Sequence, residues 1–204
     1  MKTRFLGLCT IFILLLFQDV NAQASVYWYN SGVDKAETGD HRGAIQDYTK
    51  AIELNPNDAD TYHNRGICKR ILEDYRGAIQ DFSKVIELNP NYTLTYLNRG
   101  ISKAYLDDYR GAIQDYNKAI ELNPNYTLAY HNRGNCKRIL EDYRGAIQDY
   151  NKAIELNPNY TLTYLNRGIC KGILEDIEGA CLDWSKAGEL GHGDAYDLIR
   201  DYCN

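Results

Sequence analysis

The sequence predicts an all-α solenoid of five helix–turn–helix units closed by one C-terminal capping helix. Two observations predict it. All four prolines, Pro56, Pro90, Pro124 and Pro158, stand 34 residues apart, and Gly32, Gly66, Gly100, Gly134 and Gly168 keep the same step, as do Ala44, Ala78, Ala112, Ala146 and Ala180. A fixed period of this size marks a stacked array in which each unit hides its apolar face only against its neighbours. Within each period the apolar residues recur at helical spacing. The repetition is close to literal: Tyr62–Tyr92 returns as Tyr130–Tyr160 with four changes, Ile67/Asn135, Phe82/Tyr150, Ser83/Asn151 and Val85/Ala153.

The elements follow in chain order. Lys2 and Arg4 precede an apolar run from Phe5 to Phe17 and then Val20-Asn21-Ala22. That order of basic, apolar and small-residue regions reads as a secretory signal peptide over residues 1–22, with cleavage near Ala22/Gln23. The run is shorter than the ~20 residues a transmembrane helix needs, and Cys9 has no lipobox before it. The expected product is secreted or periplasmic, soluble and without a lipid anchor. The chain carries a net charge of -5, and loss of the basic leader makes it more acidic. Acids and bases alternate along the helices, as on a solvated face. No basic stripe is present to neutralise phosphates, so nucleic acid is not an expected partner.

Residues Thr93 to Tyr126 illustrate one unit. Leu94, Leu97, Ile101 and Tyr105 lie at helical spacing in its first half, with Tyr96 and Gly100 on a second stripe. Ala112, Ile113, Tyr116, Ala119 and Ile120 make the second half an amphipathic helix. Asp108 is a natural N-cap for that helix, and Pro124 ends it by disfavouring a helical Asn123. Gly100 and Ala112 are expected to let the paired helices approach closely while Tyr96 and Tyr116 fill the space beside them.

This pattern resembles the tetratricopeptide repeat (TPR) family. The residues that carry the resemblance are Trp28/Tyr62/Tyr96/Tyr130/Tyr164, the recurrent glycines, alanines and prolines, Tyr48/Phe82/Tyr116/Tyr150/Trp184, and Ala51/Val85/Ala119/Ala153/Ala187. It implies a right-handed superhelix of units 25–58, 59–92, 93–126, 127–160 and 161–194, followed by the cap at 195–204. Two features depart from the family pattern. Lys35, Lys69, Lys103, Lys137 and Lys171 stand where an aromatic is common, and Glu73, Asp107, Glu141 and Glu175 replace the turn glycine that Gly39 keeps.

The fifth unit breaks the repetition, and Ala195, Leu198, Ile199 and Tyr202 then form the apolar stripe of a last helix. Leu182, in place of the glutamine of the other units, suggests the surface that this helix covers, since an open solenoid end needs a cover. The closing segment resembles that of exported bacterial TPR proteins. Cys181 and Cys203 lie equally far from His192, which would bring them level on antiparallel helices, so a Cys181–Cys203 disulfide is expected in an oxidising compartment. Cys170 is a rival for Cys181, mirrored across the Glu175/Asp176 turn. Cys68, Cys136 and Cys170 share one repeat position and read as small, partly buried residues.

In the family that the chain resembles, the first helix of each pair lines a concave groove. Residues at i, i+4, i+7 and i+11 share one stripe, which in the third unit is Leu94, Asn98, Ile101 and Tyr105. Asn30, Asn64, Asn98, Asn132 and Asn166 then form a ladder, one rung per unit. A carboxamide both donates and accepts, so it can bracket a peptide group whatever the side chain. Two readings stay open for the ladder: contact with an extended peptide, or hydrogen bonds to neighbouring helices and water. Leu97, Leu165, His63 and His131 flank the stripe, and His63 with Arg70 and His131 with Arg138 would favour a carboxylate nearby.

Catalysis is not expected, because an enzyme needs unlike groups that converge whereas this chain repeats the same groups at intervals. His63 and Cys68 face different directions, which argues against a nucleophilic pair. His192 stands alone without metal-ligand spacing, and neither a metal nor a cofactor is expected. The function expected is that of an exported adaptor holding a protein or peptide in its concave groove. The alternative is a structural envelope spacer that makes contacts through its convex side or its ends. The sequence sets no oligomeric state.

Overall fold

The computed structural model describes the backbone of residues 2–203 and the side chains of residues 20–203. The described residues form eleven α-helices and no strand: α1 (Lys2–Glu37), α2 (His41–Leu54), α3 (Ala59–Ile71), α4 (Tyr75–Leu88), α5 (Thr93–Tyr105), α6 (Tyr109–Leu122), α7 (Thr127–Ile139), α8 (Tyr143–Leu156), α9 (Thr161–Ile173), α10 (Ile177–Glu189) and α11 (Asp194–Tyr202). Most of the expected leader, Cys9 included, falls outside the residues whose side chains are described. No helix among the described residues is long and apolar enough to cross a membrane. The helices group into two units, Met1–Tyr92 with α1 to α4 and Thr93–Asn204 with α5 to α11. Within each unit consecutive helices pack on one another.

The second helix of each hairpin starts the same way. Asp108 Oδ1 accepts a hydrogen bond from the Gly111 amide at 2.9 Å, and Asp40, Asp74, Asp142 and Asp176 cap α2, α4, α8 and α10 likewise. The cap satisfies an amide that has no partner inside the helix. At the other end Asn123 is extended, with φ -140° and ψ 94°, as a residue before proline should be. The turn inside each hairpin needs one residue in the left-handed region. Gly39 supplies it with φ 85°, whereas Glu73, Asp107, Glu141 and Glu175 adopt φ of 60–66° at a conformational cost.

Aromatic side chains fill the hairpins and set their spacing. Tyr48, Tyr116 and Tyr150 are almost wholly inaccessible to solvent, and each such burial contributes roughly 1.5–3 kcal/mol. Tyr150 lies flat against α7, so close that a Cβ at Gly134 would stand 2.7 Å from its Cε1.

The lysines at the aromatic position have a clear physical role. Asp81, Asp115, Asp149 and Asp183 are buried on the second helices. Each is clasped by an arginine of the first helix, Arg65, Arg99, Arg133 or Arg167. Lys69, Lys103, Lys137 and Lys171 reach the second carboxylate oxygen at 2.7–2.9 Å. In the first hairpin Lys35 and Ser31 hold Asp47 instead. The arginine also reaches back one hairpin: Arg133 Nη1 donates to Asn117 Oδ1 at 2.6 Å and Arg167 Nη1 to Asn151 Oδ1 at 2.7 Å. In the first unit Arg65 Nη1 donates to Thr49 Oγ1 at 3.0 Å.

The chain closes on α11, whose Ala195 packs with Tyr164, Trp184 and Ala187, with Leu198 and Ile199 beside them. Leu182 is not under this cap. It is 68% exposed: α11 packs its Ala195 on Trp184 and Ala187, and Leu182 is left at the edge of an open cleft that it shares with Tyr202. The expectation that the cap covers Leu182 is corrected accordingly.

Candidate functional site

In the second unit α7 lies beside both α5 and α9, so the first helices of three hairpins present a common face. Their stripe is apolar and exposed at both ends. Leu94, Leu128 and Leu162 form one exposed row, and Tyr105, Ile139 and Ile173 the other. The asparagines run between the rows, and they are not equivalent.

Asn98 is only 6% exposed and donates from Nδ2 to the Leu94 carbonyl at 3.1 Å, inside its own helix. Asn166 donates to Asn135 Oδ1 at 3.0 Å. Asn132, half-buried, makes no hydrogen bond with any described residue. In the first unit Asn64 Nδ2 donates to Tyr29 Oη at 3.1 Å, and Asn30 is exposed and unbonded among the described residues. Three of the five rungs therefore commit an amide hydrogen inside the protein. Asn30 and Asn132 keep both halves of the carboxamide open.

The flanking positions turn away from that face. His63 and His131 are 2% and 3% exposed, so they are core residues rather than contacts for a carboxylate. A residue one position off the stripe is rotated ~100° around the helix, which for His131 leads toward the following hairpin. His131 Nδ1 lies 2.9 Å from Thr163 Oγ1 and its ring packs between Tyr150 and Tyr160. His63 packs against Phe82 and stacks on Tyr92. Burial lowers the pKa of both rings to about 4 and keeps them neutral at pH 7. Leu97 is buried, and Leu165 packs on the Tyr164–Trp184 cluster. Arg70 and Arg138 are half-buried. Burial raises the Cys170 thiol to about 11, and the nearby Arg138 opposes that rise.

Asn135 is the residue that the repeat pattern hid. Its Nδ2 lies 3.1 Å from His131 Nε2. Its Oδ1 accepts from Tyr150 Oη at 2.8 Å and from Asn166 Nδ2. The network runs Thr163–His131–Asn135 and forks to Tyr150 and Asn166. The one available signal was the replacement of isoleucine, present at positions 67, 101 and 169, by asparagine here.

At the C-terminal end Cys181 and Cys203 are joined, with Cα atoms 5.8 Å apart, and Cys170 is buried and unlinked. Beside the disulfide, Ile177, Leu182 and Tyr202 border an open cleft of about 470 Å³. Among the described residues no group of three His, Cys, Asp or Glu side chains is arranged to hold a metal.

Comparison with known proteins follows this geometry. A family model described as tetratricopeptide repeat matches residues 59–92, 94–126 and 127–160, and a second, described as TPR repeat, matches residues 34–67. No curated protein matches the chain. Among solved structures, a crystal structure of MamA protein is 24% identical with a TM-score of 0.78, covering 88% of this chain and 96% of that one. YrrB, described as a TPR protein with an unusual peptide-binding site, is 22% identical with a TM-score of 0.77, covering 89% of this chain and 95% of that one. PilF of Pseudomonas aeruginosa is 18% identical with a TM-score of 0.75, covering 88% of this chain and 82% of that one. At such identities these likenesses speak for the fold alone.

Proposed function

This chain belongs to the tetratricopeptide repeat family, and we propose that it is an exported adaptor that holds an extended segment of a partner protein against the first helices of its second unit. One observation carries the reading. Two rows of exposed aliphatic and aromatic residues, Leu94/Leu128/Leu162 and Tyr105/Ile139/Ile173, flank the uncommitted carboxamide of Asn132. An apolar patch of this kind, rimmed by polar groups, marks an interaction surface. Asn132 offers a donor and an acceptor to a peptide bond, and the rows offer seats for side chains on either side of it. Asn98 and Asn166 act as supports for the helices in this scheme. YrrB, of similar fold, is described as having a peptide-binding site, which agrees with the reading. Export rests on the leader-like N-terminus and on the Cys181–Cys203 pair.

The test is a crosslinking pull-down with the exported chain, run beside Leu128→Asp, Ile139→Asp and Asn132→Ala. Partners that crosslink to the wild type and are lost from the variants, with far-ultraviolet circular dichroism unchanged, support the reading. Partners retained by all three variants exclude this face. Sequencing the N-terminus of the exported product tests cleavage, which is expected to leave Gln23 first.

A second reading, a spacer that docks through its end, is favoured by one observation, the exposed Leu182 beside Ile177 and Tyr202. Leu182→Gln restores the residue of the other units. It should abolish partner capture if the end is the docking surface and leave capture intact if the α5/α7/α9 face is.

A further inference from the structure

The first unit holds a cleft of about 280 Å³ where α1, α2 and α3 meet. Its apolar lining includes Val33, Ile67 and Ile71, and its polar lining is Glu37, His41 and Asn64. We propose that this cleft takes one lysine or arginine side chain of a partner protein's segment, with the aliphatic stem on Val33, Ile67 and Ile71 and the cation on Glu37 and Asn64. The inference rests on the adaptor reading and names what the first unit recognises.

Three independent features point to a cation. The first is the position of Glu37. In the other hairpins the corresponding residue is Ile71, Tyr105, Ile139 or Ile173, so a carboxylate occurs only here. Glu37 is exposed and makes no ion pair or hydrogen bond among the described residues.

The second is the helix end. Glu37 is the last residue of α1, where the helix dipole disfavours an anion. Lys35, in the same turn, is directed at the buried Asp47 at 2.5 Å. It leaves the charge of Glu37 and the partial negative charge of the helix terminus uncompensated. A cation in the cleft answers both.

The third is hydrogen-bond capacity. Asn64 gives one of its two amide hydrogens to Tyr29 and keeps its carbonyl oxygen as an acceptor, and the Nδ1 of His41 is buried without a partner among the described residues. Ammonium and guanidinium groups carry donors only, so they complement Glu37 and Asn64, whereas a carboxylate or a purely aliphatic side chain does not. The size agrees as well. A typical ligand pocket holds ~300–1,000 Å³, and this cleft accommodates one long side chain.

The cleft is tested by itself with nuclear magnetic resonance on the chain from Gln23 to Asn204. Two probes share an aliphatic stem, Nα-acetyl-lysine methylamide and Nα-acetyl-norleucine methylamide, and only the first carries an ammonium group. The expected result is saturable shifts of the Val33, Ile67 and Ile71 methyl signals with the lysine probe. The norleucine probe should bind about fivefold more weakly, and Glu37→Gln should remove the difference. Equal binding of the two probes, or a Glu37→Gln variant that still prefers lysine, overturns the inference.

A second arm separates it from the adaptor reading. Random twelve-residue peptides are selected on the wild-type chain, then assayed against Glu37→Gln and Leu128→Asp. Selected peptides that share a lysine or arginine and weaken in Glu37→Gln support the inference. Peptides that need Leu128 but show no basic preference overturn it while leaving the adaptor reading standing. Failure to select any peptide removes the adaptor reading, and with it the assignment of the cation to a peptide.

Discussion

Arg133 clasps Asp149 with both arms of its guanidinium, Nε to Oδ2 at 2.9 Å and Nη2 to Oδ1 at 2.5 Å. Lys137 joins the second oxygen at 2.8 Å. Asp149 is buried on α8 and the two cations on α7 are mostly shielded, so the triad holds the hairpin together by charge as well as by packing. Removing one partner from such a group leaves charge without an answer. Asp149→Ala is expected to cost about 3 kcal/mol, read as a lower urea midpoint, while Arg133→Met combined with Asp149→Leu costs less than the two single changes added together.

Glu141 occupies the left-handed region with φ 63°. Glycine has no Cβ and reaches that conformation without the clash, so Glu141→Gly should raise stability by about 1 kcal/mol in the same assay. Asp107→Gly should gain less, because Asp107 also accepts a hydrogen bond from Tyr109 Oη at 2.6 Å.

Gly134→Ala should lower stability by about 2 kcal/mol, since the new methyl meets the Tyr150 ring at 2.7 Å. Adding Tyr150→Leu to Gly134→Ala should recover part of the loss. A loss that Tyr150→Leu does not relieve would place the strain elsewhere.

Acid should weaken the fold through its two buried histidines. Their folded pKa values are lowered to about 4 by burial, against ~6.5 in an unfolded chain. The unfolded state therefore binds more protons between those values, and stability falls as the pH drops from about 6.5 to about 4. Urea midpoints measured across that window should decline in the wild type and decline less steeply in His63→Gln/His131→Gln.

Reduction should act locally. The Cys181–Cys203 bond closes a separation of 22 residues, a span for which a crosslink contributes about 3 kcal/mol. Cys203→Ser should speed hydrogen exchange in α11 and leave α7 and α8 protected. Peptide mapping without reduction should find Cys203 linked to Cys181.

Hairpins, caps and core aromatics were legible because each depends on a local signal copied at a fixed interval: the proline after the second helix of the first four hairpins, Asp108 before α6, the glycine facing each aromatic ring. The charged triads were harder to see, although the arginines, lysines and aspartates recur with the same period. Alternating charge reads as a solvated surface until packing shows that Asp81 and Asp149 point inward. The candidate site was legible as a stripe but not as a set of roles. Helical spacing put Asn98, Asn132 and Asn166 in one row. Which of them keeps a free carboxamide depends on Asn135, a single departure from the repeat, and on how far each helix is covered by its neighbour. His63 and His131 sat one position off the stripe, and a rotation of ~100° is enough to move a side chain from the surface into the seam.

In the second unit the arginine that locks a hairpin also reaches the hairpin before it, from Arg133 to Asn117 and from Arg167 to Asn151. Both halves of this latch lie within a single 34-residue period in the third and fourth units, Arg99 with Asn117 and Arg133 with Asn151. A genetic duplication or deletion of one whole period therefore brings a matching arm to a matching socket, and the array can lengthen or shorten by slippage without a new joint having to evolve.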